Sequence, residues 1–238
     1  MPGIAGRETV YYNHNAEFID NPHARTGILA DNPIHIDMMH AAKTAGLGFI
    51  CNVALNAQKE VVLAVSGDYD KAHQKGCEFL LRHFQVERTE ADIVITTNGG
   101  YPLDQNIYQA VKSMTTAEAN VRKGGVIIVL AKSVDGHGGD SFYATFQGMK
   151  PLDEILADIR GTPKHKTIPD QWQSQIFIRV LKHAHVIFVS DAPDEIVRDF
   201  RMIPAHTVGE AVKIADDIQH SQTGKITVIP DGVSVITK

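Results

Sequence analysis

The sequence is poor in cysteine and has no long apolar run. Its two cysteines, Cys51 and Cys77, are too few for a disulfide framework, so we expect a reducing, cytoplasmic location. Cys51 lies in an apolar stretch and Cys77 on a predicted helix, and both are expected to be buried as small hydrophobic residues. No apolar run approaches the ~20 residues of a bilayer-spanning helix, and the first residues lack the basic-then-apolar pattern of a secretion signal.

An excess of positive charge and several common catalytic motifs are also missing. The formal net charge of -5 gives no electrostatic reason to expect nucleic acid as a partner. There is no Cys-x-x-Cys pair, Walker loop or Gly-x-Ser-x-Gly elbow, and the glycines of residues 136–139 do not match a dinucleotide fingerprint. The hydrophobic content of 43% is enough for one large domain or two small ones.

Residues 98–112 are the most informative stretch of the chain. They follow an apolar run, residues 93–95, that is typical of a buried strand. The paired glycines Gly99 and Gly100 allow a sharp turn, and Asp104 is predicted to cap a new helix. A strand, a glycine-rich turn and a helix N-terminus form the usual site for an anionic ligand in α/β proteins.

The helix that follows has one apolar and one polar arc. The apolar arc is expected to face a sheet and consists of Ile107, Ala110, Val111 and Met114. Tyr108, Gln109 and Lys112 lie on roughly the opposite arc, where Tyr108 and Lys112 are one turn apart. This arrangement gathers a phenol, a carboxamide and an ammonium group near the positive end of the helix. The alternative is an ordinary solvated helix face, which composition alone favours.

The remaining pattern predicts an α/β protein with a parallel sheet. Strands at 93–97, 126–131 and 186–189 alternate with helices at 106–121 and 176–181. Further helices are predicted at 194–200 and 207–219, and further strands at 226–229 and 233–236, which flank a turn at 230–232.

The first part of the chain is less regular. Residues 1–30 are predicted to be irregular, and a helix is predicted after Asn32-Pro33. Strands at 49–55 and 60–65, separated by residues 56–59, predict a hairpin. A helix is predicted at 72–84, and the polar residues 85–91 form a candidate domain boundary.

Several short segments are informative as an ordered set. They are residues 2–9 followed by Asn13-His14, residues 21–29 followed by Asn32-Pro33, residues 52–56, Gly67-Asp68, residues 124–127, and the triplet Tyr108, Gln109 and Lys112. Together they resemble the nickel-pincer lactate racemase family, along essentially the whole chain. The joint occurrence of His14 and the triplet is specific, whereas any single segment is weak.

The resemblance implies a racemase or epimerase of a small 2-hydroxy acid such as lactate. It implies a nickel pincer nucleotide as cofactor and reversible hydride transfer through a planar keto acid. The family's cofactor-bearing lysine, its two acid/base histidines and its arginine lie upstream of the segment that begins here at Pro2. We therefore expect this chain to be the C-terminal half of such an enzyme, inactive alone, with the missing N-terminal half as its partner.

The resemblance also assigns roles to five residues. His14 is the expected nickel ligand, although a histidine held in a loop by backbone contacts is the alternative. Lys112 is expected to pair with the substrate carboxylate or to steady the oxygen that becomes a carbonyl. Tyr108 and Gln109 are expected to donate hydrogen bonds to the same anion. Trp172, the only tryptophan, is expected to form an apolar wall of the substrate pocket, with packing inside its own domain as the alternative.

The domain organisation follows from the same resemblance. Residues 1–85 are expected to belong to the cofactor-binding domain, and residues 91–203 to form a parallel-sheet βαβ domain. Residues 207–238 are expected to return to the first domain, which would then be an incomplete α/β domain. The polar arc of the predicted helix would face a cleft between these domains that opens and closes around substrate.

Two other functions remain open at this stage. One is a non-catalytic α/β module that binds an organic acid or a metal. The other is a Rossmann-like nucleotide binder, which the missing fingerprint disfavours. His137, in a glycine-rich loop at the carboxyl edge of the predicted sheet, is a further candidate residue for the cleft. Neither nucleic acid nor a membrane is expected as a partner.

Overall fold

The structure is a computed structural model and describes residues 5–56, 58–220 and 224–238. Residues 2–4 of the segment before His14, and Ala57 in the predicted hairpin turn, lie outside these ranges. The helices are α1 (Arg7–Asn13), α2 (Ala16–Asp20), α3 (Pro33–Thr44), α4 (Tyr69–Phe84), α5 (Ile107–Glu118), α6 (Asp140–Phe146), α7 (Leu152–Gly161), α8 (Gln171–His183), α9 (Asp194–Asp199) and α10 (Val208–Gln219). The strands are β1 (Ile50–Leu55), β2 (Val61–Gly67), β3 (Gln85–Val86), β4 (Ala91–Thr97), β5 (Val121–Leu130), β6 (His185–Val189), β7 (Ile203–Ala205), β8 (Ile226–Ile229) and β9 (Ile236–Thr237). Within the described ranges, no helix is both long and apolar enough to cross a membrane.

A five-stranded sheet forms the larger part of the molecule. Its strand order is β7-β6-β5-β4-β8, and every neighbouring pair is parallel. The predicted α/β class with a parallel sheet is therefore confirmed. We call this sheet with α5 to α10 the sheet domain (residues 91–229). After β7 the chain crosses back through α10 and places β8 on the far side of β4.

Helices cover both faces of this sheet, and the strands are accordingly apolar on both sides. On one face, α5 and α8 pack on the strands and on a cluster of four fully buried phenylalanines, Phe142, Phe146, Phe177 and Phe200. The predicted apolar arc of α5 lies in this core with no exposed surface. On the other face, Ala211 and Ala215 of α10 let that helix approach Ile93, Val126 and Ile128 closely.

The C-terminal tail belongs mainly to the sheet domain. Helix α10 packs on β5 and β6, and β8 pairs with β4. The structure therefore corrects the expectation that residues 207–238 as a whole return to the first domain, because among the described residues of this tail only β9 does so, by pairing with β3. The strand predicted at 233–236 begins only at Ile236. The carboxylate of Asp231 accepts hydrogen bonds from the N–H groups of Val233 and Ser234, which holds those residues in a turn.

The predicted hairpin is confirmed as the antiparallel pair β1–β2, with α4 packed on one face. We call α3, β1, β2 and α4 the hairpin unit (residues 33–84). Alternate side chains point away from α4, so Val53, Leu55 and Val62 are exposed. Cys51 lies on the same open face and is exposed, which corrects the expectation that it is buried.

Residues 1–30 were expected to be irregular, but they contain α1 and α2. The side chain of Asn15 accepts from the N–H of Phe18 and so caps α2. Helix α2 packs on α8, where the Gln175 carboxamide donates to the carbonyl of Ala16 at 2.9 Å. This segment therefore lies on the sheet domain rather than with the hairpin unit alone. Helices α6 and α7 were also not predicted.

Candidate active site

Helix α5 begins later than the sequence indicated. Its N-cap is Asn106, whose side chain accepts from the N–H of Gln109 at 3.0 Å. The predicted cap, Asp104, lies in the turn before it, where its own N–H donates to the carbonyl of Gly100. Asn106 replaces Asp104 because its backbone has the extended conformation that a cap residue needs directly before the first helical residue.

The first N–H groups of α5 are occupied by the protein itself. The N–H groups of Ile107 and Tyr108 donate to the carbonyls of Gly136 and His137, at 3.0 and 3.2 Å. Gly138 lets this loop lie against the helix, because a Cβ atom there would stand 2.3 Å from Cγ of Asn106. The helix terminus therefore has no free donors for an anionic ligand, which corrects the expectation drawn from the glycine-rich turn.

His14 follows the last residue of α1 and lies against Trp172. The two ring centroids are 5.1 Å apart in an edge-to-face arrangement, and Tyr11 approaches the indole from 6.0 Å. The Nδ1 atom of His14 lies 3.1 Å from the carbonyl oxygen of Val10. Burial lowers the pKa of His14, which favours the neutral imidazole. A neutral ring whose Nδ1–H is held by a carbonyl leaves Nε2 free to bind a metal.

Tyr108 connects α5 to this cluster. Its half-buried ring packs edge-on against Phe142 at 5.4 Å, and its hydroxyl lies beside the carboxylate of Asp170 and the indole of Trp172. Burial raises the pKa of Tyr108, and the negative charge of Asp170 raises it further. The structure thus brings together three of the five predicted site residues, His14, Trp172 and Tyr108.

Lys112 and Gln109 are the other two predicted site residues, both on α5. The Lys112 side chain is exposed, and no carboxylate in the described part of the chain lies within ion-pair distance of its ammonium group. The carboxamide oxygen of Gln109 is buried and has no hydrogen-bond partner among the described residues. Two hollows lie between α1 and α3: one of about 20 Å³, which His14 also lines, and one of about 450 Å³, which the turn Lys164–Lys166 also lines. Lys112 lines neither.

His137, the other histidine named above, is held by contacts within its own loop and with the neighbouring helix α6. His137 stacks on Tyr143 at 4.7 Å with nearly parallel rings, and its Nδ1 accepts from the N–H of Gly139. The described residues contain no group of three His, Cys, Asp or Glu side chains that could hold a metal ion. Any metal bound at His14 therefore needs ligands from outside these residues.

Asp170 is the residue that sequence reasoning missed. It precedes α8 and has left-handed backbone angles, with φ 63° and ψ 2°. Its half-buried carboxylate faces Tyr108, and burial raises the pKa of Asp170. An aspartate after proline at the start of a helix is an ordinary capping signal, so nothing in the sequence marked it as part of a site.

A family model described as the lactate racemase C-terminal domain matches residues 86–237. The chain belongs to the lactate racemase family. Two curated proteins named lactate racemase match it over its whole length, one from Thermoanaerobacterium thermosaccharolyticum at 50% identity and one from Lactiplantibacillus plantarum at 49%. The chain spans 56% of the length of each of these relatives.

One solved structure agrees with this family membership, and a second shares the fold. The lactate racemase apoprotein from Thermoanaerobacterium thermosaccharolyticum is similar over the whole of this chain and 57% of its own, with a TM-score of 0.97 and 50% identity. A Thermotoga maritima protein is similar over 87% of this chain and 54% of its own, with a TM-score of 0.58 and 16% identity. The second likeness concerns the fold alone.

Proposed function

We propose that this chain forms the C-terminal, substrate-facing part of an enzyme that racemises or epimerises a small 2-hydroxy acid such as lactate. The main support is the cluster in which His14 packs against Trp172, and Trp172 lies beside Tyr108. Lys112 stands one turn further along α5. Family membership supports the same reaction class, since both curated relatives carry the name lactate racemase.

His14 is the proposed protein ligand to nickel. The residues present fit this role, because the imidazole is half-buried, its Nδ1 is engaged by a carbonyl, and burial favours its neutral form. The nickel pincer nucleotide expected from the family would supply the acceptor for the hydrogen on the α-carbon of the substrate. The other ligands and the covalent attachment site belong to the segment by which the relatives exceed this chain.

Lys112 and Trp172 are the proposed substrate contacts. An ammonium group with no internal ion-pair partner is available to a carboxylate, and Lys112 meets that condition in the described residues. Trp172 offers an apolar wall that excludes water from the reacting carbon. The carboxamide N–H group of Gln109 is proposed to donate a hydrogen bond to the same carboxylate. These groups bind and orient the acid, whereas proton transfer is left to residues outside this chain.

The proposed partner is the N-terminal half of the enzyme, in a cytoplasmic location. The open face of the hairpin unit supports this proposal, because it exposes Val53, Leu55 and Val62. An isolated two-stranded sheet is marginal in water, so such a face is expected to be covered. The upstream part of the relatives supplies chain for this purpose.

Replacement of Lys112 tests the substrate site. The protein would join this chain to the upstream part of the Thermoanaerobacterium thermosaccharolyticum relative and carry Lys112→Met. Loss of the carboxylate anchor is expected to cost about 2–5 kcal/mol of transition-state stabilisation, seen as a fall in kcat/KM for lactate interconversion. Lys123→Met, which removes another exposed ammonium group at β5, is the matched control. Equal kcat/KM in the two variants would remove Lys112 from the site, and lactate binding without interconversion would favour a binding module.

A further inference from the structure

We propose that Tyr11 is a positioning residue that holds the indole ring of Trp172 in place. This inference rests on the proposed function, in which Trp172 is a wall of the substrate site and His14 is the ligand to nickel. The family resemblance assigns no role to Tyr11. Because Tyr11 and His14 come from the same short segment, that segment would set the distance between the metal ligand and the substrate wall.

The first argument is the geometry of the three rings. Tyr11 lies on α1 and His14 follows its last residue, so the two side chains are three positions apart and share one face. The Tyr11 ring centroid lies 6.0 Å from that of Trp172 with 38° between the planes, and the His14 centroid lies 5.1 Å away with 61°. These are separations and tilts that aromatic pairs favour. The indole is therefore in contact with two rings from the same face of α1.

The second argument is that α1 is held by contacts in which Trp172 takes no part. Asn13 is buried, and its carboxamide donates to the carbonyl of Ile34 at 3.1 Å and to the carboxylate of Asp37 at 2.8 Å. Both partners belong to α3, and α1 also packs on the turn Lys164–Lys166. The place of Tyr11 is thus fixed independently, which a residue needs if it is to position another.

The third argument is that the backbone of Trp172 is fixed while its ring is not. The neighbouring Gln171 and Gln173 are buried, and their carboxamides are bound: Gln171 accepts from the N–H of Ile168 at 3.3 Å, and Gln173 donates to the carbonyl of Tyr108 at 2.7 Å. The Trp172 side chain between them is half-buried. A side chain on a fixed backbone still has several rotamers, so its orientation depends on the rings packed against it.

The division of labour between the two rings follows from the proposed metal site. In that site Nε2 of His14 belongs to the metal, and the orientation of its ring must suit the metal. Tyr11 has no such second duty, and its contact with Trp172 is made by the ring. The prediction is therefore that the aromatic ring of Tyr11 is required and that its hydroxyl is not.

Fluorescence of this chain tests the proposal, because Trp172 is its only tryptophan. Tyr11→Leu keeps an apolar side chain on α1 and removes the aromatic ring. We expect a red-shifted emission maximum and faster quenching by acrylamide, because the indole is no longer held and meets more water. Tyr11→Phe retains the ring, so its emission and quenching are expected to match those of the unchanged protein.

Tyr12→Leu is the matched control. It makes the same chemical change at the next position of the same helix, where the side chain is 46% exposed, so any effect on helix propensity is shared. Its emission should equal that of the unchanged protein. Circular dichroism of each variant confirms that the fold is retained.

A second measurement needs no variant. In the unchanged chain, nuclear Overhauser effects are expected between ring protons of Tyr11 and the indole of Trp172, and they decide the question if Tyr11→Leu does not fold. The proposal is overturned by their absence, by unchanged emission in Tyr11→Leu, by an equal shift in Tyr12→Leu, or by failure of Tyr11→Phe to match the unchanged protein. Neither nickel nor lactate is present, so a negative result removes the role of Tyr11 and leaves the racemase proposal to the Lys112 test.

Discussion

The sheet domain and the hairpin unit bury their apolar residues to opposite extents. Four of the seven residues of β4 are buried, whereas β1 and β2 contain no buried residue. Both regions have apolar strands, so composition does not explain the contrast. The sheet domain has five strands with helices on both faces, while the hairpin has two strands and a helix on one face. The first region makes its own core, and the second presents a surface suited to a partner.

The candidate site belongs to the better-buried region. Trp172, Tyr108 and Asp170 are carried by α5 and the start of α8, both of which pack in the main core. His14 joins them because α2, which follows it, packs on α8, where the Gln175 carboxamide donates to the carbonyl of Ala16. The site is thus held by the sheet domain before any partner is added.

The contrast is tested most strongly by truncating one apolar side chain in each region. Phe142→Ala is expected to lower the free energy of unfolding by about 3–5 kcal/mol, because Phe142 is fully buried among four other aromatic rings. Val53→Ala, on the open hairpin face, is expected to change it by no more than about 0.5 kcal/mol. Urea denaturation followed by circular dichroism measures both. Similar losses in the two variants would contradict the division into two kinds of region.

Two ion pairs, one largely covered and one exposed, allow the same comparison with smaller expected changes in stability. Arg179 on α8 holds Glu118 on α5 with two short hydrogen bonds, of 2.8 and 2.7 Å, and both side chains are largely covered. Glu118→Gln is expected to cost about 1.5–3 kcal/mol, as for hydrogen bonds to charged groups. Glu90→Gln removes the exposed partner of Arg88 and is expected to cost about 0–1 kcal/mol. Equal effects in urea denaturation would show that α5 and α8 do not depend on this pair.

Alkaline pH gives the smallest expected effect. Because burial and Asp170 raise the pKa of Tyr108, the folded protein keeps that proton when the unfolded chain has lost it. This contribution to stability is complete below pH about 10, the ordinary tyrosine value, and is lost as the pH rises through the higher folded pKa. In denaturation experiments across this pH range, the free energy of unfolding of Tyr108→Phe should fall less steeply with pH than that of the unchanged protein. Tyr12→Phe, at an exposed ring, should keep the original slope, and a shallower slope there as well would contradict the assignment to Tyr108.

The elements that could be predicted from the sequence are those with a strong local pattern. The strands β4, β5 and β6 each contain a continuous apolar run, at residues 93–95, 126–130 and 186–189, and the buried arc of α5 has helical spacing. Helices α1 and α2 were missed because they have only 7 and 5 residues and depend on contacts with distant parts of the chain. The place of β8 was missed for the same reason, since its pairing with β4 joins residues far apart in sequence.

The site was only partly accessible from sequence. The resemblance pointed to His14, Trp172 and the α5 triplet, and the structure brings His14, Trp172 and Tyr108 together. The roles of all five residues stay predictions. The occupied N-terminus of α5 could not be foreseen, because its partners are backbone carbonyls of a loop about 30 residues away. Asp170 was hidden because its left-handed backbone and its contact with Tyr108 are tertiary features.

Lactate interconversion after reconstitution tests the central claim most directly. This chain would be expressed alone, and together with the upstream part of the Thermoanaerobacterium thermosaccharolyticum relative, in a host in which that intact relative is active. We predict that the combination converts L-lactate to a mixture of both enantiomers and that this chain alone does not. Conversion by this chain alone, or an associated, nickel-containing combination with no conversion, would contradict the account.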